Sequence, residues 1–357
     1  MKIIHCADLH IDSKMQTNFS IEKAHQRKKE LLLTFERMVE YANKEGVKAI
    51  IIAGDMFDTS KVTTLSKKRI FSIINSNQAI DFLYLAGNHD ESNIICSLEQ
   101  EYANLKVFKE NWTTFTYDNV NIVGATNTSN VTMYDTLSLN KDDINLVVLH
   151  GPISKYNLKD NKEIVKLNKL KNKNIDYLAL GHIHSFEQGK LDERGVYCYS
   201  GCIEGRGFDE CGEKGFVVLN IDNDCIHSEF VPFARREFHQ IDVDITDKED
   251  WFDIEKIVLD KVKSIPTKDI IKVVLTGKYC LALYKQVGHL TTRLNDDFYF
   301  AKIKDESSLK INVKDYENDL SLKGEFIREV LNSDLDQEEK EKVILIGITA
   351  LNGEELK

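Results

Sequence analysis

The sequence predicts an α/β protein in two parts, and three observations carry that reading. Apolar strand-like runs alternate with helical patterns through the first half of the chain. Short polar clusters recur directly after those runs. Near residue 236 this pattern stops, and a new strand–helix–strand unit begins.

The runs are Ile3 to Ala7, Val47 to Ala53 and Phe82 to Ala86, with a helix expected from about Ile21 between the first two. Within it Leu31, Phe35, Met38 and Ala42 fall on one helical face, and Gly46 is placed to stop it. From Asn104 onward strand candidates come closer together, at 112–117, 119–124, 144–149, 175–180, 195–200, 215–221 and 225–232, so two packed sheets are expected. The second part reads as a strand at 238–244, a helix near 250–263, a strand at 270–276, and helices near 322–332 and from about Asp336. The domains are therefore 1–235 and 236–357. Val343 to Leu351 is apolar nearly all round, which predicts burial against its own domain or a partner.

A chain of 357 residues is too long for one small core. Hydrophobic residues at 42% and charged residues at 29% are near the averages of folded proteins, which argues against long disorder. Met1-Lys2-Ile3-Ile4 leads straight into a strand and no apolar run reaches membrane-spanning length, so the reading is cytoplasmic, with no membrane. The seven cysteines form no CxxC pair, which points away from a disulfide framework or a zinc finger. A net charge of −11 gives no overall attraction to nucleic acid. Any such activity has to rest on local positive charge.

Five clusters carry the chemistry: Asp8-Leu9-His10, Gly54-Asp55-Met56-Phe57-Asp58, Gly87-Asn88-His89-Asp90, His150-Gly151 and Gly181-His182-Ile183-His184. One DxH or HxH alone signals little, because a satisfied core histidine explains it. Here the clusters follow predicted strands, whose carboxyl ends converge on one rim in open α/β sheets. Asp, His and Asn meeting there form a metal site. Mixed imidazole, carboxylate and amide donors suit manganese, iron or zinc better than calcium.

The ordered set resembles the calcineurin-like metallophosphoesterase superfamily over about residues 1–232. The resemblance implies a four-layer αββα sandwich, to which residues 236–357 add a smaller α+β cap and partner-binding domain. It places Asp8, His10 and His184 on one ion, Asn88, His150 and His182 on the other, and Asp55 between both. The cofactors implied are two divalent ions, manganese first, with iron or zinc as alternatives. A hydroxide shared by such ions is the implied nucleophile. His89 resembles the catalytic histidine, and Asp58 the residue that orients it.

The strings Ala7-Asp8-Leu9-His10-Ile11-Asp12-Ser13, Ala53 to Thr59, Gly87 to Glu91 and Glu204-Gly205-Arg206-Gly207-Phe208 resemble bacterial SbcD-type DNA repair exonucleases. Thr59 and Asp90 stand where protein Ser/Thr phosphatases carry Arg and Glu. Asp58 stands where archaeal and eukaryotic nuclease relatives often carry His. The implied activity is a DNA exonuclease. The alternatives are a phosphodiesterase for a small or cyclic nucleotide, and a scaffold regulating an ATPase. The implied partners are DNA and an SbcC-type coiled-coil ATPase, which such nucleases often bind through C-terminal helices; a homodimer is kept open. Between 155 and 173 seven lysines face two acids, a local charge of +5. Lys166, Lys169, Lys171 and Lys173, with Arg206, are the candidate phosphate contacts. A solvated face for the lysines and loop geometry for Arg206 are the alternatives.

Overall fold

Alternation along one short strand sets the layering of the amino-terminal unit. In β1 (Lys2–Cys6), Ile4 and Cys6 point to one side and Ile3 to the other, each into a separate buried cluster. The structure, a computed structural model, describes residues 1–15, 19–58, 62–87, 102–153, 164–222, 225–280, 283, 285–310 and 319–351. It divides into two units, Met1–Glu237 and Phe238–Lys357.

The first sheet runs in the order β12 (Cys225–Pro232), β11 (Gly215–Asp222), β1, β2 (Ala49–Ala53), β3 (Asp81–Leu85), β4 (Leu105–Val107). From β1 to β4 neighbours are parallel. The second sheet runs β5 (Thr113–Tyr117), β6 (Val120–Gly124), β7 (Ile144–His150), β8 (Tyr177–Gly181), β10 (Val196–Tyr199), β9 (Glu187–Lys190). Its four central strands are parallel. Their faces read as continuous apolar runs because both are covered.

Helix α1 (Ile21–Lys44) is capped by the Ser20 side chain, which accepts from Lys23 N, and the turn after it uses Gly46 at φ +67°. Its Leu31, Phe35, Met38 and Ala42 are all buried, and with α2 (Thr64–Ser76) they cover the outer face of the first sheet. Ile3, Ala49, Ile51 and Ala53 meet Ile122, Leu146, Val148 and Ala179 between the sheets. Met133 and Tyr134 of α3 (Val131–Thr136) and Leu170 of α4 (Leu167–Leu170) cover the outer face of the second sheet. The result is the αββα sandwich. Strand β9 was not evident in the sequence, because Glu187-Gln188-Gly189-Lys190 is an edge strand with little to bury.

In the carboxyl-terminal unit β13 (Phe238–Asp244), β14 (Ile270–Thr276) and β16 (Phe300–Asp305) form a parallel sheet. Helices α5 (Trp251–Val262) and α6 (Val287–Asp297) pack on it through Ile254, Val258, Leu290 and Leu294. A second parallel pair joins β15 (Lys278–Cys280) to β17 (Ser308–Lys310). On this pair's side, α7 (Leu322–Leu331) and α8 (Gln337–Leu351) share a small core of Leu309, Ile327, Val330, Ile344 and Ile348. Helix α8, expected to be buried against its own domain or a partner, is covered on one side within this unit. One stripe packs inward, with Gly347 close against the Phe326 ring, while Ile346 is 53% exposed and Leu345 42%.

His5 on β1 is wholly buried, with Nδ1 2.9 Å from the Tyr177 hydroxyl of the other sheet. Burial pushes its pKa down to about 3, although the Leu180 carbonyl opposes this. An unfolded histidine takes up its proton near the ordinary value of 6.5. The contribution of His5 to stability is therefore complete above about pH 6.5 and is lost as pH falls toward 3. Its slope across that window is about 1.4 kcal/mol per pH unit. Denaturant unfolding from neutral to acid pH should show a shallower dependence in His5→Phe than in the wild type. Equal slopes would refute it.

Candidate metal centre

Each polar cluster sits where a parallel strand ends. Asp8 and His10 follow β1, Asp55 follows β2, His150 closes β7, and His182 and His184 follow β8. The backbone past β1 and β2 stays paired, with Asp8 N to Gly54 O at 3.1 Å, His10 N to Asp55 O at 3.0 Å and Ile11 N to Met56 O at 3.0 Å. This pairing fixes the spacing of the two loops. Asn88 and His89, expected after β3, lie outside the described residues, as do Lys155, Lys159 and Lys162.

The two sheets meet at the Asp8 carboxylate, which accepts the His182 backbone N–H at 3.0 and 2.9 Å. Two groups of donor atoms result, Asp8 with His10 and His184, and Asp8 with Asp55 and His150. Asp8 is common to both. The resemblance gives the shared position to Asp55, which belongs to the second group and approaches the first at His10 Nε2, 3.8 Å from its Oδ2. The His182 ring stands beside the second group, 5.4 Å from that of His150.

His10 Nε2 and His184 Nε2 lie 3.2 Å apart, a separation that suits two imidazoles each reaching one ion at about 2.1 Å. His150 donates from Nδ1 to Ala53 O at 2.9 Å, which leaves Nε2 directed at Asp55 Oδ2, 3.4 Å away. Asp8, His10 and Asp55 are at most 2% exposed. Burial raises the Asp8 pKa, offset in part by His150 and His184. Burial also works against a charge on His150, but Asp55 and Asp8 outweigh it and raise its pKa to about 9. Buried carboxylates and imidazoles without thiolates fit divalent manganese, iron or zinc. The residues present fit such an ion.

This arrangement holds the backbone in a sparsely populated region, with φ of +51° at Asp8, +43° at His10, +50° at Asp55 and +100° at His182. The glycines of the clusters serve close approach. A Cβ on Gly54, itself at φ +96°, would lie 2.0 Å from His150 Nδ1, and one on Gly87 would lie 2.1 Å from Asp55 Oδ1.

Around the first group, Asp58 Oδ1 lies 3.1 Å from His10 Nδ1 and 3.1 Å from Arg206 Nη1. Its expected partner His89 is not among the described residues. Arg206 also bonds Glu210, Nη2 to Oε1 at 2.7 Å, so its guanidinium is engaged inside the site. Among the lysines, Lys169 pairs with Asp135 at 3.1 Å and Lys173 donates to Leu137 O at 3.2 Å. Lys166 and Lys171 flank α4. Glu210, whose Oε1 is 2.7 Å from His184 Nδ1, escaped the sequence reading. The one signal was the general need of a metal-bound histidine for an acceptor at its other nitrogen, and that does not say where in the chain it lies.

Residues 1–186 match the calcineurin-like phosphoesterase family. The chain is 24% identical over 262 residues to the DNA double-strand break repair protein Mre11 of Sulfolobus acidocaldarius, covering 69% of this chain and 67% of that protein. To the Mre11 protein of Saccharolobus solfataricus it is 23% identical over 348 residues, 88% and 85% of the two chains. To the uncharacterized metallophosphoesterase YhaO of Bacillus subtilis it is 25% identical over 296 residues, 78% and 72%.

Gly54→Ala tests the close packing of this rim. The new methyl cannot coexist with the His150 ring, so stability should drop by about 1–3 kcal/mol and metal uptake should fall. Thermal melting and a manganese titration measure the two effects. A variant that melts and binds metal like the wild type would show that the rim tolerates a side chain there.

Proposed function

We propose that this chain, which belongs to the calcineurin-like phosphoesterase family, is a two-metal phosphodiesterase that cleaves DNA. The observation that carries the reading is the meeting of Asp8, His10 and His184 with Asp55 and His150 at the ends of strands from both sheets. On the family resemblance Asp8, His10 and His184 would hold one ion and Asn88, His150 and His182 the other, with Asp55 as the carboxylate shared by both. Two bound divalent ions, manganese by preference, supply Lewis acidity and a water of lowered pKa. His89 meets the leaving oxygen as a proton donor or as a stabiliser of its charge. The names of the archaeal relatives support DNA as the substrate. Lys166, Lys169, Lys171 and Lys173, with Arg206, are the candidates for phosphate contact.

Purified protein with manganese should degrade linear DNA. Asp55→Ala should lose both ions and all hydrolysis, whereas His89→Ala should keep its metal and lose turnover. Turnover of a chromogenic phosphodiester with intact DNA would move the substrate to small diesters. Equal metal loss in the two variants would remove the separation of roles.

The resemblance to SbcD-type nucleases extends the proposal to a coiled-coil ATPase docking on the carboxyl-terminal helices. Support comes from the outward stripe of α8, where Ile346 is 53% and Val343 36% exposed. Deleting α8 would also uncover Ile327 and Val330, so a surface change is the cleaner probe. Ile346→Glu should abolish co-purification with the ATPase and leave manganese-dependent hydrolysis of a small diester unchanged. Retained association would assign that stripe to solvent.

A further inference from the structure

The His184 ring has two suitors for one nitrogen. Nδ1 lies 2.7 Å from Glu210 Oε1 and 3.0 Å from Arg206 Nη2. The two contacts demand opposite tautomers. If Nδ1 carries the hydrogen it donates to Glu210, and the Nε2 lone pair is free for a metal. If Nδ1 accepts from Arg206, Nε2 carries the hydrogen and cannot ligate.

We propose that Glu210 is a positioning residue that selects the metal-binding tautomer of His184, by accepting Nδ1–H on Oε1 while giving the neighbouring Arg206 guanidinium a carboxylate to donate to in place of that nitrogen. The geometry favours this outcome. Glu210 takes Arg206 Nη2 at 2.7 Å on Oε1, and it takes the Arg206 backbone N–H at 2.8 Å on Oε2. At 6% side-chain exposure it is sheltered from competing water. Arg206 Nη1 is held at the same time by Asp58 Oδ1 at 3.1 Å, the oxygen that faces His10 Nδ1. Asp58 stands behind His10 at 3.1 Å without the hydrogen-bond geometry that Glu210 has with His184, and Arg206 spans the two carboxylates. The two Nε2 atoms end 3.2 Å apart, facing one point. Removing an outer partner of this kind weakens metal binding by roughly 10–100-fold.

The consequence for binding rests on the two-metal reading above; the tautomer does not. The test uses the full chain. Metal-free protein with isotope-labelled histidine, at mildly alkaline pH, should show His184 with its hydrogen on Nδ1, and Glu210→Gln should move it to Nε2. His184→Gln assigns the signal. A variant that keeps the Nδ1 hydrogen overturns the proposal. In manganese titrations Glu210→Gln should weaken one binding step by roughly 10–100-fold and leave the other in place, which also shows that the fold survives. Adding Arg206→Leu should restore much of that affinity, because the new glutamine carbonyl can then accept Nδ1–H unopposed. A double variant that binds no better than the single one refutes the competition. A wild type that binds fewer than two ions counts against the functional reading alone, and the histidine spectra still decide the tautomer.

Discussion

The whole site hangs on one carboxylate held by one backbone amide. Asp8 belongs to the loop after a strand of the first sheet, and the N–H that clamps both its oxygens belongs to His182, after a strand of the second. Nothing along the sequence joins these positions, which are 174 residues apart. The contact sets how the two sheets abut at their carboxyl ends. There Gly181 passes so near Ala53 that a Cβ would lie 1.9 Å from the carbonyl oxygen. With the sheets locked at that corner, imidazoles from one and carboxylates from the other share a volume small enough for metal ions.

That corner is built against local preference. Non-glycine residues in left-handed backbone cost about 1–3 kcal/mol each, and four candidate ligands adopt it. The surrounding layers supply the compensation, since β1 and β2 are covered on both faces and their loops remain paired past the strand ends. A rigid frame that forces short loops into strained turns can aim several side chains at one point. A looser frame would let those loops relax and the donors disperse.

Much of this was legible in the sequence because it obeys short-range rules. Strands alternate with a period of two, α1 with its helical period, and polar clusters fall directly after strands. The αββα sandwich and the grouping of Asp8, His10, Asp55, His150 and His184 follow from those patterns read with the family resemblance. What escaped was long-range and carried no periodicity. Glu210 reaches His184 across 26 residues, through a loop whose place is set by Glu204. Glu204 is buried against Arg27 at 3.0 Å and Thr34 at 2.8 Å on α1. No spacing rule links these residues. The exposed stripe of α8 escaped for a different reason: an all-apolar helix states only that something should cover it, and its own unit covers one side.

Arg206 changes the electrostatic argument for an acidic chain that handles phosphate. If two divalent ions faced only the carboxylates Asp8 and Asp55, the site would carry about +2. Asp58 and Glu210 stand directly behind the histidines of the first group and have to be counted as well, since neither is more than 19% exposed. Their charges would cancel that excess and leave nothing to draw a phosphodiester into a protein whose overall field repels it. The guanidinium between them restores about +1, inside the site and buried enough to escape much of the screening that weakens surface lysines. Arg206 thus offsets one of the two carboxylates behind the histidines, so that a site holding two divalent ions would keep about +1 rather than none.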